Sequence, residues 1–288
     1  MLINPYYGKW PVWLPAFLKS CQANPKFTWL IPTDCDIPAD HPENVIFVKS
    51  TLSELSQQAS AVTGLDISMQ RAYKLNDIRP LFGKIFAERL TNYGFWGHCD
   101  IDVIFGDIGN FITDKILDNY DVISAREGNI AGHFTLYRNS EKIINLYSNH
   151  RVFEDAFLRE ESYYFDEVGM TEVIKEEIKK ESGIRVYWPK YLLNFYKQRS
   201  KKPSNIPLVL NHWKWENGKL FEEGDDGGEI MYLHFMTWKK TLKHCFIDYG
   251  DQTDTFYISY THISEKKSSL PADFGVIPVS RFFPSMFR

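Results

Sequence analysis

A chain of 288 residues is long enough to bury one large α/β core, and its 44% hydrophobic and 24% charged residues argue against disorder. Its 33 Lys and Arg against 37 Asp and Glu leave a net charge of −4, so no global positive field recruits nucleic acid, which is excluded as an expected partner. No apolar stretch reaches ~18 residues, no apolar leader follows Met1, and Cys21, Cys35, Cys99 and Cys245 form no CxxC pair. The expectation is a cytoplasmic protein with reduced thiols that neither spans a membrane nor carries a cleaved signal.

Helical apolar spacing over residues 13–22 (WLPAFLKSCQ) is followed by a short apolar strand, FTWLIPTD, from Phe27 to Asp34. NVIFVKS, Asn44 to Ser50, reads as a second strand, and Thr51-Leu-Ser-Glu54 as a capping box that starts a helix. Residues 80–93 (PLFGKIFAERLTNY) place Leu81, Phe82, Ile85, Phe86 and Leu90 on one helical face before a strand that carries Asp100. Alternating strands and helices imply a mainly parallel sheet, with ligands gathered at the carboxyl ends of its strands. Further strands are expected at 121–126 and 133–139, then an amphipathic helix over 165–182. LVLNHWKWENGKLF, 208–221, reads as a hairpin with a type I′ turn at Asn217-Gly218, and KQRSKKPSN, 197–205, as a solvated loop. No repeat divides the chain, so one domain is expected over residues 1–270, with an aromatic, basic tail at 271–288.

FWGHCDIDVIFGD, Phe95 to Asp107, places two carboxylates inside an apolar run. On an extended chain Asp100 and Asp102 point to the same side, and burying both requires a cation or a raised pKa. Hard carboxylate oxygens suit Mg or Mn, whose shell phosphate oxygens often complete, so a nucleotide substrate follows. The competing account is a pair of aspartates capping a strand end.

The stretch YKLNDIRPLFGKIFAERLTNYGFWGHCDIDVIFGD, Tyr73 to Asp107, resembles the core of GT-A type glycosyltransferases, in which a helix carrying Asp and Arg precedes an apolar strand ending in DxD. It is similar, more closely, to an uncharacterised bacterial family encoded among surface-polysaccharide (capsule and O-antigen) genes. That resemblance runs from PYYGKWPVWLPAFLKSCQANP through GHFTLYRN and YYFDE to YLHFMTWK. It implies a GT-A, Rossmann-like sheet with a mixed C-terminal part. It also implies a divalent cation, manganese or magnesium, on Asp100 and Asp102, and a nucleotide-sugar donor, a UDP-sugar first. The implied acceptor is a glycan or lipid-linked oligosaccharide.

Residue by residue, the resemblance places Tyr73, Lys74, Asp77 and Arg79 near the nucleotide or diphosphate, where the cationic side chains are strong donors. Tyr7-Gly8-Lys9 would let backbone approach the nucleotide. GT-A enzymes of the glycogenin-like kind carry a late His-Phe segment with a metal-ligating His and a diphosphate-binding Lys six residues on, which here gives His234 and Lys240. The following Gly and Pro-Trp of that segment are Thr237 and Thr241-Leu242 here, and His212 competes as third ligand. On the acceptor side, His133 could touch the sugar or diphosphate, and Asp166 or Glu167 could orient or deprotonate an acceptor hydroxyl. Asp77 with Arg79 as a surface pair, and Asp166 with Glu167 as helix N-terminal acids, are the structural alternatives.

Two rival functions remain open. Asp100-Ile-Asp102-Val fits the nucleophile motif of haloacid-dehalogenase-like phosphatases, with Gly224-Asp225-Asp226 as the later acidic motif, although about a third of the chain precedes it. A non-catalytic glycan-binding module with structural Ca would use the abundant aromatics for stacking. The tail Phe274 to Arg288 suits peripheral contact with the inner face of an anionic membrane, although such a tail more often packs on its own domain or a partner.

Overall fold

Short apolar strands build a central sheet, and its inner strands are buried on both sides. The computed structural model describes residues 1–189, 212–223, 228–236, 239–250 and 252–267. Its first strands are β1 (Leu2–Ile3), β2 (Trp29–Thr33), β3 (Val45–Lys49) and β4 (Phe95–Cys99). Then come β5 (Val103–Phe105), β6 (Val122–Ser124), β7 (Phe134–Arg138) and β8 (Val186–Tyr187). The central sheet runs β3-β2-β1-β4-β7-β6-β8, and every neighbouring pair is parallel except the two made by β7. This is the mainly parallel α/β sheet that the alternation of elements implies. Successive residues serve opposite faces: Leu2, Trp29 and Ile31 join one apolar cluster, Ile3 and Leu30 the other.

Helix α1 (Leu14–Gln22) covers the first face through Leu14, Phe17, Leu18 and Cys21. Helix α2 (Leu52–Thr63) covers the second through Leu55 and Ala59. Its capping box forms as expected: Thr51 Oγ1 accepts the Glu54 N–H at 3.1 Å, and Glu54 Oε2 accepts the Thr51 N–H at 2.7 Å. The chain goes outward from β1 to β2 and β3, then returns to β4 on the other side of β1. That reversal opens a crevice at the carboxyl ends of β1 and β4, where sheets of this kind bind ligands.

Three expectations are corrected. The helix expected over 80–93 is a string of short turns from Ala72 to Leu90: Pro80 sits in a first turn, where its missing N–H costs nothing, but the α-helical stretch Phe82–Ile85 ends where Phe86 leaves helical geometry at φ −107° and ψ 20°. The strand expected to carry Asp100 on into the apolar run stops at Cys99, and β5 belongs to a separate two-stranded pair with β12 (Tyr232–His234). The helix over 165–182 begins as a π-helical turn, Phe165–Gly169, before the α-helix Met170–Lys179.

The hairpin of β9 (His212–Glu216) and β10 (Lys219–Glu223) forms with Asn217 at φ 48° and Gly218 at φ 80°, as a type I′ turn requires. With β11 (Glu229–Ile230), which pairs with β10, it belongs to a second sheet, six-stranded among the described residues, with its own apolar cluster around Trp213, Trp215 and Phe256. Trp215 Nε1 donates to Phe105 O at 2.9 Å and ties this sheet to β5. All four cysteines are free thiols, and no described helix is long and apolar enough to cross a membrane. Residues 197–205, Gly224-Asp225-Asp226 and the tail 271–288 lie outside the described residues.

Candidate active site

The tripeptide Asp100-Ile101-Asp102 turns from one sheet into the other and is pinned at each residue. Asp100 N–H donates to His133 O at 3.2 Å, Ile101 O accepts Trp13 Nε1 at 2.9 Å, and Asp102 O accepts the Phe235 N–H at 3.1 Å. The two aspartates therefore converge because the turn is held from three sides, not because they alternate along one strand. β12 delivers His234 opposite Val103, beside them.

Each carboxylate divides its oxygens between two partners. Asp100 Oδ1 takes Arg79 Nη2 at 2.5 Å, while Oδ2 lies 3.5 Å from His234 Nε2. Asp102 Oδ2 takes Lys239 Nζ at 2.8 Å, while Oδ1 lies 3.7 Å from the same imidazole nitrogen. One oxygen from each aspartate and His234 Nε2 thus face each other, all within 4.8 Å. Donors sharing one ion at ~2.1 Å each sit roughly 3–4 Å apart, so the set fits a hard or borderline divalent cation such as Mg or Mn.

Burial opposes charge on all three groups, yet the neighbours prevail. Arg79 holds the Asp100 carboxyl well below its usual range, and His234 lowers that of Asp102. Burial lowers the His234 pKa, but the two carboxylates outweigh it and hold the imidazolium to about 9. The His133 ring stacks on His234 with centroids 4.3 Å apart; burial, then the neighbouring imidazolium, keep it neutral.

Signs follow from these shifts. The raised His234 pKa contributes stability fully below its ordinary value of 6.5, and that contribution is lost as pH rises through about 9. A cation held by His234 would have to displace its proton, so below about pH 9 we expect binding of Mn to release up to one proton and its affinity to rise with pH. Calorimetry in buffers of differing ionisation enthalpy measures this release; a pH-independent affinity would remove His234 from the ligand set.

Arg79 joins the aspartate turn to a second cluster. Its Nη1 donates to Gly132 O at 2.7 Å and to Asp166 Oδ2 at 2.9 Å, so one buried guanidinium serves two carboxylates and a backbone carbonyl. Glu167 Oε1 accepts the Gly132 N–H at 2.8 Å, and His98 Nδ1 lies 2.9 Å from Gly132 O. Burial pushes the Asp166 carboxyl up to about 7 despite Arg79. A Cβ at Gly132 would stand 2.7 Å from Asp166 Oδ2 and 3.1 Å from both Arg79 Nη1 and Glu167 Oε1. Gly132→Ala should therefore cost ~1–3 kcal/mol and weaken Mn binding by displacing Arg79. Thermal unfolding and metal titration check both effects; a wild-type melting point would contradict this contact.

The other expected site residues fall into two groups. Tyr7 and Gly8 lie past the carboxyl end of β1, with the Tyr7 hydroxyl 3.5 Å from Ser50 Oγ. Gly8, at φ 111°, donates its N–H to Asp34 Oδ1 at 2.8 Å, and Lys9 beside it is exposed. Lys74 and Asp77, expected near the nucleotide, are buried against each other. Lys74 Nζ is buried on Asp77 Oδ2, Ala156 O and Glu161 O, so its three hydrogens are taken by the protein. Tyr73 is 57% exposed and lies towards Asp166 and Glu167 rather than the aspartate turn.

The lysine that meets Asp102 is Lys239, whereas Lys240 is exposed in the following turn. Adjacent lysines point in different directions once β12 ends, and nothing in KK says which turns inward. His212 sits across from Glu223 in the second sheet, outside the cluster.

Residues 2–267 match a family described as a family of unknown function (DUF6625). The chain belongs to that family. Among solved structures, this DUF6625 protein is similar at 10% identity to the galactosyltransferase LgtC in complex with donor and acceptor sugar analogues, over 81% of this chain and 86% of that one, with a TM-score of 0.41. An active-site mutant of LgtC is similar at 10% identity over 72% and 80%, with a TM-score of 0.43. At those scores the overlap assigns neither activity nor substrate. A comparison with curated proteins finds no match.

Proposed function

We propose that this DUF6625 protein is a metal-dependent glycosyltransferase that moves a sugar from a nucleotide-diphosphate donor, a UDP-sugar first, to a glycan or lipid-linked acceptor of bacterial surface polysaccharide. The observation that carries this reading is the convergence of Asp100 Oδ2, Asp102 Oδ1 and His234 Nε2 at the carboxyl edge of a mainly parallel sheet, beside its topological switch point.

Asp100, Asp102 and His234 would hold manganese or magnesium, which supplies electrostatic stabilisation for a leaving diphosphate. Arg79 fixes Asp100 so that Oδ2 stays turned to His234. Lys239 is half-exposed beside Asp102 and can exchange that contact for a phosphate oxygen, placing positive charge where it is needed as the glycosidic bond weakens. Asp166 is tied to Arg79 and buried, so it positions rather than deprotonates. Glu167, partly exposed, is the carboxylate placed to accept a hydrogen bond from an acceptor hydroxyl.

Calorimetric titration of UDP and UDP-sugars with and without Mn tests the reading. Nucleotide binding that requires the metal supports it; equal binding in a chelator, or none, ends it.

A further inference from the structure

Two tyrosines near this site are exposed although the backbone beneath them is built at some cost. Tyr73 is 57% and Tyr164 51% exposed, and their rings meet edge to face with centroids 6.4 Å apart. Tyr164 adopts the left-handed conformation, φ 51° and ψ 40°, which a residue with a Cβ takes up only under strain. That conformation is enforced from below. Asp77 accepts the N–H groups on both sides of Tyr164, from Tyr163 at 3.1 Å and from Phe165 at 2.8 Å. The buried Lys74 that neutralises Asp77 directly follows Tyr73, so one internal ion pair braces the backbone under both rings. A buried pair is an expensive brace for two side chains that add little to the core.

The same braced turn continues into Asp166 and Glu167, whose contacts with Arg79 and Gly132 connect it to the aspartate turn. Rings set edge to face make an apolar corner, one open face beside one ring edge, for the C–H face of a sugar ring, and a carboxylate at the rim accepts hydroxyl hydrogens. We infer that Tyr73 and Tyr164 form a saccharide-binding platform that seats the acceptor sugar, with Glu167 at its edge. Its assignment to the acceptor rests on the glycosyl-transfer reading; saccharide binding itself does not.

The test is saturation-transfer NMR on the full chain with methyl α- and β-hexosides, maltose, lactose and cellobiose as probes, alongside a separate titration of Mn and UDP. At least one sugar should receive saturation at its ring protons. Tyr73→Ala and Tyr164→Asn should each weaken it tenfold or more, and Tyr73→Phe should stay within about threefold because the ring face is kept. Asn accepts the left-handed backbone, so Tyr164→Asn removes the ring without forcing the turn to refold. Mn affinity should be unchanged in all three variants, which separates loss of a platform from general damage. Undiminished binding in Tyr73→Ala and Tyr164→Asn, or no probe bound by the wild type, overturns the platform. Sugar binding that depends on the tyrosines while Mn and UDP fail to bind would keep it and discard glycosyl transfer.

Discussion

Asp102→Asn is expected to abolish metal-dependent turnover of a nucleotide sugar, by ~10³-fold or more. Removing one preorganised group that stabilises developing charge typically costs 10²–10³-fold, and here one substitution disturbs two protein partners, His234 and Lys239, as well as the ligand set. The Asp102 side chain is 4% exposed; Oδ1 faces His234 Nε2 and Oδ2 holds Lys239, so no neighbouring oxygen substitutes for it. The amide removes one of the two charges that sustain the His234 imidazolium, and the His234 pKa should fall from about 9 towards its ordinary value. Two measurements therefore move together: hydrolysis or transfer from a UDP-sugar in Mn, and the His234 imidazole titration by NMR in the metal-free protein. A variant that retains activity, or in which His234 titrates as before, would show that these groups do not act as a unit.

Arg79→Met should give the largest loss of stability of any single change at this site. The guanidinium is 13% exposed and neutralises Asp100 and Asp166 at once, while also holding Gly132 O. Methionine fills part of the space and leaves two buried carboxylates without their cation. Breaking a buried pair typically costs 3–5 kcal/mol, which for a chain of this size corresponds to roughly 10 °C in melting temperature. The sign of the pH dependence distinguishes this cause from lost packing. Asp100 is held well below its usual range by Arg79, so in the wild type its contribution is present above the ordinary carboxylate pKa and is lost as pH falls through the lowered value. In Arg79→Met that benefit disappears, and the deficit should be full from pH 7 down to the ordinary carboxylate range and shrink only as pH falls below it, towards the lowered Asp100 value. A deficit that is constant with pH would assign Arg79 a packing role only.

Local signals in the sequence were enough for much of the architecture. The capping box at Thr51 and Glu54, the Asn217-Gly218 turn and the short apolar runs of β2, β3 and β7 depend on interactions within a few residues, and the structure contains each of them. The Asp100–Asp102 pair is legible for a similar reason, since two acids inside an apolar run demand compensation wherever the chain goes. What provides that compensation is not local. Arg79 is 21 residues from Asp100 and 87 from Asp166 along the chain, and Lys239 is 137 from Asp102.

The same distance in sequence explains the errors. Lys74 and Asp77 look like a charged, substrate-facing pair until the packing of residues 156–163 against them is known, and that packing turns them into a buried brace. The choice of Lys239 over Lys240 depends on how the chain leaves β12, and the choice of His234 over His212 on which strand pairs with β5. The sequence by itself determined the parallel α/β sheet and the acidic pair at its edge, because hydrophobic periodicity and short-range hydrogen bonds set them. Only tertiary structure decided which cations and which histidine stand beside those aspartates, because those contacts form between segments whose separation in the chain carries no information about their direction in space.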